Sequence, residues 1–282
     1  MQTIRDIHSL RKAVAELRKN GGKVALVPTM GALHAGHMAL VAEAKARAEH
    51  VVVSIFVNPT QFGPNEDLGS YPRQEERDAE LLAEAGCAIL WLPEVGTMYS
   101  GDHSTSISVG GVSDGLDGAA RPGHFAGVAT VVAKLFNQVQ PDIALFGEKD
   151  YQQLAMLRRM VRDLDIAVEL VGVPTHRDAD GLALSSRNAY LSTEERIAAR
   201  ALPRALGEAA QAILAGGAVN EALERARAIL AEAGFSQVDY VVLCDAETLE
   251  PVAELARPAR ILAAARIGRT RLIDNLPVAP LA

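Results

Sequence analysis

The sequence predicts an α/β protein: a doubly wound, Rossmann-like domain on a mainly parallel sheet, followed by a second, smaller α+β domain. Three observations predict it. Short apolar runs of strand length alternate with amphipathic stretches of helical period up to about residue 175. Polar, glycine-containing clusters recur where those runs end, and open α/β sheets bind ligands at that edge. Beyond that point the texture shifts to Ala-rich helical stretches and a few strand-like runs.

The elements follow in order. Ile4, Ile7, Leu10, Val14 and Leu17 lie at helical spacing and predict a helix over 4–19, ended by Asn20-Gly21-Gly22. Lys23–Thr29 is an apolar run of the length of a buried parallel strand. A helix over Met38–Glu49 and a strand over His50–Asn58 come next. Arg73–Ala85 reads as a helix closed by Gly86, and Ala88–Leu92 as a strand. Helix Phe125–Gln138, strand Ile143–Gly147, helix Tyr151–Leu164 and strand Ile166–Pro174 continue the alternation. Ser192-Thr193-Glu194-Glu195 has the form of a capped helix start. Ala-rich helices fill 193–233, broken at Gly216-Gly217, and Val238–Cys244, Arg260–Ile267 and Arg271–Asp274 read as strands. The junction is placed within 175–188, giving domains of 1–175 and 176–282.

Composition narrows the function classes. The 282 residues are 49% hydrophobic and 22% charged, as in ordinary globular chains. A net charge of −7 disfavours a broad nucleic-acid or membrane-binding face, since phosphate surfaces are held by Lys and Arg. Cys87 and Cys244, the 2 cysteines, are too few for a disulfide framework or a four-thiolate zinc site. Runs such as Val51–Val53 and Ile55–Val57 are far shorter than a bilayer span. The opening MQTIRDIHSLRKAV has no signal-peptide core, so a cytoplasmic location is expected.

The strand ends carry the chemistry. Pro28–His37 follows a strand and opens a helix. Gly31 and Gly36 permit close backbone approach, and a helix start offers free N–H groups and a positive dipole end to an anion. His34 and His37 project to the same side of that turn. A plain strand–helix turn bearing two surface histidines is the competing reading. Neither a P-loop nor a G-x-G-x-x-G nor a G-x-S-x-G motif is present. Asn58 and Gln61 in Asn58-Pro59-Thr60-Gln61-Phe62 are neutral amides suited to hydroxyls and carboxylates. Gly147-Glu148-Lys149-Asp150 and the following Gln153 end another strand, where Lys149 can aim a point charge at a phosphoryl group. In Asp180–Asn188, Ser185, Ser186 and Arg187 supply two hydroxyls and a guanidinium, the parts of a phosphate clamp. Arg121-Pro122-Gly123-His124 forms a further basic turn.

Taken in order, PTMGALHAGH, FVNPTQF, RPGHFAGVATVVAKLFNQVQPD, FGEKDYQQ and DGLALSSRN resemble the pantothenate synthetase (pantoate–β-alanine ligase) family. The His-x-Gly-His element alone indicates only the wider nucleotidyltransferase and class I synthetase superfamily. The resemblance implies ATP-dependent condensation of pantoate with β-alanine through pantoyl adenylate, releasing AMP and pyrophosphate. It implies that Met30, Gly31, Ala32, Leu33, His34, Ala35, Gly36 and His37 line the ATP site. Gly147, Glu148, Lys149, Asp150, His176, Leu184, Ser185, Ser186 and Arg187 would complete it. His34, His37, Lys149 and Arg187 would carry catalysis, with His37 as the family's proposed acid. Gln61 and Gln153 would hold pantoate with help from Asn58, and Arg121 and His124 would cover the site. Mg²⁺ would accompany ATP, with Asp78 assisting and its protein ligands otherwise unknown. The resemblance also implies a homodimer and a small C-terminal domain acting as a lid. The alternative is a nucleotidylyltransferase of the same superfamily, moving AMP onto a phosphorylated acceptor.

Overall fold

In the computed structural model, which describes residues 1–64 and 66–280, six short strands form a parallel sheet. They are β1 (Gln2–Ile4), β2 (Val24–Thr29), β3 (His50–Ile55), β4 (Ile89–Trp91), β5 (Ile143–Gly147) and β6 (Glu169–Val173). Their spatial order is β1-β4-β3-β2-β5-β6. The connecting helices are α1 (Ile7–Leu17), α2 (Ala35–Arg47), α3 (Glu75–Glu84), α4 (Val95–Met98), α5 (Asp117–Ala120), α6 (His124–Val139) and α7 (Tyr151–Asp163).

Strands buried on both faces explain the unbroken apolar runs. Val24 and Leu26 of β2 enter one core, together with Val52, Ile89, Trp91, Phe146 and the inner residues of α6. Ala25 and Val27 enter the opposite core with Val51, Val53, Leu90, Leu145 and the inner face of α2. Alternate residues of one strand thus fill two cores. Strand order reverses between β2 and β5, so the carboxyl ends of these two strands open a crevice between them.

Beyond β6 a second, smaller body follows, in which α8 (Thr193–Ala199), α9 (Ala201–Leu214) and α10 (Val219–Glu232) cover a three-stranded antiparallel sheet. Its strands β7 (Gln237–Asp245), β8 (Ala259–Ile267) and β9 (Thr270–Val278) lie in that order, and a separate core joins them to the helices. The capping box at Ser192 forms as the sequence predicts: Ser192 Oγ accepts from the Glu195 N–H at 3.2 Å, and Glu195 Oε2 accepts from the Ser192 N–H at 2.9 Å.

The structure moves several boundaries. Residues 4–19 are not one helix. Asp6 caps α1 by accepting the Ser9 N–H at 2.9 Å, which frees Gln2–Ile4 to pair in parallel with Ile89–Trp91. α2 starts at Ala35 rather than Met38 because His34 caps it. β3 stops at Ile55 because Asn58 caps a 3₁₀ turn over Pro59–Gln61. β9 runs on to Val278 because β8 supplies partners that far, ending at Ala259↔Val278. α4 and α5 have 4 residues each, too short for a periodic signal. No helix among the described residues is long and apolar enough to cross a membrane.

Candidate active site

The crevice between β2 and β5 widens into a cavity of about 520 Å³, walled on its far side by β8 and β9 of the smaller body. Cavities of that size hold a nucleotide-sized ligand. His34, Gln61, Lys149 and Arg187, four positions from four separate loops, all line it.

The first loop is built around a buried carboxylate. Asp78 of α3 is 1% exposed, and it accepts the Ala32 and Leu33 N–H groups at 2.8 Å each. Gly31 at φ +83° and Ala32 at φ 51° lie in the left-handed region, so the chain turns sharply there and presents the start of α2 to the cavity. A side chain at Gly31 would stand 3.0 Å from Ile55 Cγ2 and 3.1 Å from Asp78 Oδ2. Asp78, expected to assist Mg²⁺, instead lies buried beneath this turn and is not among the residues that line the cavity.

The histidine pair has a fixed protonation pattern. His34 Nδ1 accepts the Gly36 N–H, and His37 Nδ1 accepts the His34 N–H, each at 3.2 Å. The rings lie 4.1 Å apart between centroids. With Nδ1 an acceptor in both, the proton of each neutral ring sits on Nε2. Burial, the neighbouring His34 and Lys149 push His37 down from the ordinary 6.5 to about 3. Burial and Lys149 also lower His34. Two neutral N–H donors at a helix N-terminus have the chemistry to donate to the oxygens of an anion.

The amide side is held with equal care. Asn58 is 1% exposed, and its side chain is fully engaged. Its Nδ2 donates to Gln61 Oε1 at 3.0 Å and to the Gly127 carbonyl at 3.2 Å. Its Oδ1 accepts from the Tyr99 and Thr60 hydroxyls at 2.8 and 2.9 Å. Asn58 thus orients Gln61 from behind. A Cβ on Gly127 would come within 2.4 Å of the Thr60 carbonyl oxygen, so α6 needs glycine to lie this close.

Both guanidiniums that the sequence singles out line the cavity, and each is held by an acid. Arg121 forks onto Glu66 at 2.6 and 2.7 Å, and Arg187 forks onto Asp67 at 2.9 and 3.0 Å. His124 donates from Nδ1 to the Gln61 carbonyl at 2.9 Å and faces Arg121 through Nε2 at 2.9 Å. Burial and Arg121 push its pKa down to about 4. Ser185 Oγ accepts the Arg187 N–H at 3.3 Å, and Ser186 donates to the Ala32 carbonyl at 3.4 Å. Lys149 makes one loose pair, 3.6 Å from Asp150.

These titrations set a stability trend. His37 and His124 fold with pKa values below that of the unfolded chain, so the unfolded chain binds more protons at mildly acidic pH. Stability is fully present above about pH 6.5 and falls as the pH drops from there towards about 4 and 3. Each histidine is expected to account for about 1–2 kcal/mol of the loss between pH 7 and 5. Urea midpoints at both pH values check this. A His124→Gln protein as acid-sensitive as the unaltered one would contradict it.

Of the predicted ATP-site residues, Met30, His34, Gly36, His37, Gly147, Lys149 and Asp150 line the cavity. So do His176, Leu184, Ser185, Ser186 and Arg187, and on the substrate side Asn58, Gln61 and Gln153. Gly31, Ala32, Leu33, Ala35 and Glu148 are not among its lining residues, and Leu33 is buried at 3% exposure. Glu66, Asp67 and Tyr71, along with Asp274 and Asn275 of β9, line it without having been singled out. A local signal existed only for β9, where consecutive polar residues interrupt an apolar strand.

The comparisons follow the same line. The family described as pantoate-beta-alanine ligase matches residues 2–277. A pantothenate synthetase of Rhizorhabdus wittichii is 68% identical over 280 residues, 99% of each chain. The crystal structure of pantothenate synthetase from Thermus thermophilus is similar at a TM-score of 0.95 and 50% identity, over 99% of this chain and 100% of that one. Pantoate-beta-alanine ligase from Francisella tularensis, described as complexed with beta-gamma ATP and β-alanine, has a TM-score of 0.82 at 33% identity, over 98% of this chain and 97% of its own. With a match running from residue 2 to 277, on a parallel sheet that opens into the cavity just described, the chain belongs to the pantoate-beta-alanine ligase family and joins pantoate to β-alanine.

Proposed function

We propose that the ligation runs in two steps within this one cavity, through pantoyl adenylate. A carboxylate is a poor acyl donor. In the first step its oxygen attacks the α-phosphorus of ATP, and the bond to the β-phosphate oxygen breaks, releasing pyrophosphate. In the second, the amine of β-alanine attacks the acyl carbon, the bond to AMP breaks, and the nitrogen loses a proton. The observation that carries this reading is the convergence of His34, Lys149 and Arg187 with Gln61 on one cavity. One end suits a triphosphate and the other a small hydroxy acid.

The residues take the following roles. The start of α2, with Met30 and Gly36, receives the phosphates, and His34 and His37 donate Nε2–H to their oxygens. Lys149 meets the charge that develops at the α-phosphorus, Asp150 accepts from the ribose, and His176 and Leu184 border the base. Ser185, Ser186 and Arg187 clamp the phosphates after Arg187 leaves Asp67. Gln61 and Gln153 hold pantoate. Mg²⁺ would accompany ATP as part of the substrate and would neutralise phosphate charge there. Among the described residues no three metal-binding side chains converge. The reading also includes a homodimer, a cytoplasmic setting, and 1–175 and 176–282 as two domains. Membership of the ligase family sets aside transfer of AMP to a stable acceptor.

With ATP and pantoate but no β-alanine, labelled pyrophosphate is expected to exchange into ATP. Release of ADP and phosphate would overturn the adenylate. A ring that is neutral at neutral pH donates hydrogen bonds rather than a titrating proton. The kcat/KM profile of His37→Gln, which reports the free enzyme, is therefore expected to fall by the same factor from about pH 6 to 9. Loss of one limb in the variant would restore His37 as the acid.

A further inference from the structure

Lys149 sits on a short 3₁₀ turn over Glu148–Asp150, and the turn is gripped from outside its own sheet. Asn275 of β9 is 3% exposed, and its Nδ2 donates to the Glu148 and Lys149 carbonyls at 2.9 Å each. Its Oδ1 accepts from Arg260 of β8, whose other nitrogen reaches Glu148 Oε2 at 3.0 Å. Arg260 also lies 3.7 Å over the Tyr151 ring. The amide has one orientation open to it, because carbonyls only accept and a guanidinium only donates. The carbonyls, Glu148, Arg260 and Asn275 close a ring that fixes the backbone carrying Lys149.

The preceding residue grips the loop that leads to Arg187. Asp274, 2% exposed, takes a fork from Arg177 at 2.7 and 2.8 Å. Arg177 bonds onward to the Gly181 carbonyl at 3.2 Å and pairs as a bridge with Ala183. That bridge begins the segment that ends in Ser185, Ser186 and Arg187. Two consecutive residues of one strand therefore tie down the loop that carries Lys149 and the loop that carries Arg187.

We propose that Asp274 and Asn275 are positioning residues for the adenylation step, setting Lys149 and the Arg187 loop relative to each other through β9. This rests on Lys149 acting at the α-phosphorus. Buried groups that hold a reacting group in place act on its alignment. A displacement of about 1 Å can cost on the order of 10²-fold in rate without weakening substrate binding.

Asn275→Asp keeps the size and the acceptor for Arg260 but cannot donate to the two carbonyls. In the full-length protein, pantoate-dependent pyrophosphate exchange is expected to lose on the order of 10²-fold in kcat, with KM for pantoate within about twofold. Aminolysis of preformed pantoyl adenylate by β-alanine is expected to stay within about threefold, because the phosphoryl step is over. Asp274→Asn is expected to lower exchange by about tenfold in the same assay. Unchanged exchange in a folded Asn275→Asp protein, or equal losses in both half-reactions, would overturn the proposal. Should that variant not fold, Asn275→Ala carries the same comparison without adding a charge. Lys149→Ala run alongside separates the two claims. If it keeps its exchange activity, the role of Lys149 fails. If it loses exchange while Asn275→Asp does not, only the positioning role fails.

Discussion

Lys149→Ala is expected to lose adenylate formation by about 10²–10³-fold or more while keeping its fold. Preorganised charge aimed at a phosphoryl group is usually the largest single contribution such a site makes, and in the reading proposed above Lys149, at the end of β5, supplies it. The same side chain contributes little to folding. Its one ion pair is loose, at 3.6 Å, and its partner Asp150 is 48% exposed. Removing such a contact costs at most about 0.5 kcal/mol. Pyrophosphate exchange and a urea melt on the same preparation check both halves. A folded variant with full exchange would remove Lys149 from the chemistry.

Asp78→Ala is expected to act in the opposite sense, first on folding and through it on ATP. Its two oxygens satisfy the Ala32 and Leu33 N–H groups, the first part-buried and the second buried. A buried donor left unpaired costs about 1–3 kcal/mol, and with the part-buried one adding less, the loss is expected at about 2–4 kcal/mol. Ala32 holds a left-handed backbone at φ 51°, and the carboxylate is what keeps it there. Denaturant unfolding reads the loss directly. Asp78→Asn keeps one accepting oxygen and is expected to recover about half of it. A change below about 1 kcal/mol in the alanine variant would mean the turn holds itself.

Both cases show what the letters reveal and what they hide. The parallel sheet was legible because β2, β3 and β5 are unbroken apolar runs, as strands covered on both faces must be. The site loops were legible because each ends such a run with residues that a turn alone does not require, such as His34 with His37, or Lys149. β1 was not legible, since three residues carry no period and Ile4 also fits a helical pattern. The partners of the site residues were the least visible. Asp78 meets Ala32 across 46 positions, Arg187 meets Asp67 across 120, and Asn275 meets Lys149 across 126. No spacing rule reaches that far, because these pairs are made by tertiary packing and not by local geometry. Asn58 shows a subtler limit. Its residue type suits a ligand, and it does line the cavity, yet its Nδ2 is spent on Gln61 and the α6 backbone and its Oδ1 on the Tyr99 and Thr60 hydroxyls.

Glu66 and Asp67 are neighbours in the chain, and between them they occupy the guanidinium forks of Arg121 and Arg187. A fork bound at two points yields only to a visitor that replaces both bonds. A single-point anion such as chloride therefore competes poorly for either guanidinium. On the reading proposed above, a nucleotide would meet that demand with its several oxygens, and the Glu66–Asp67 segment would be the part of the chain released when it does.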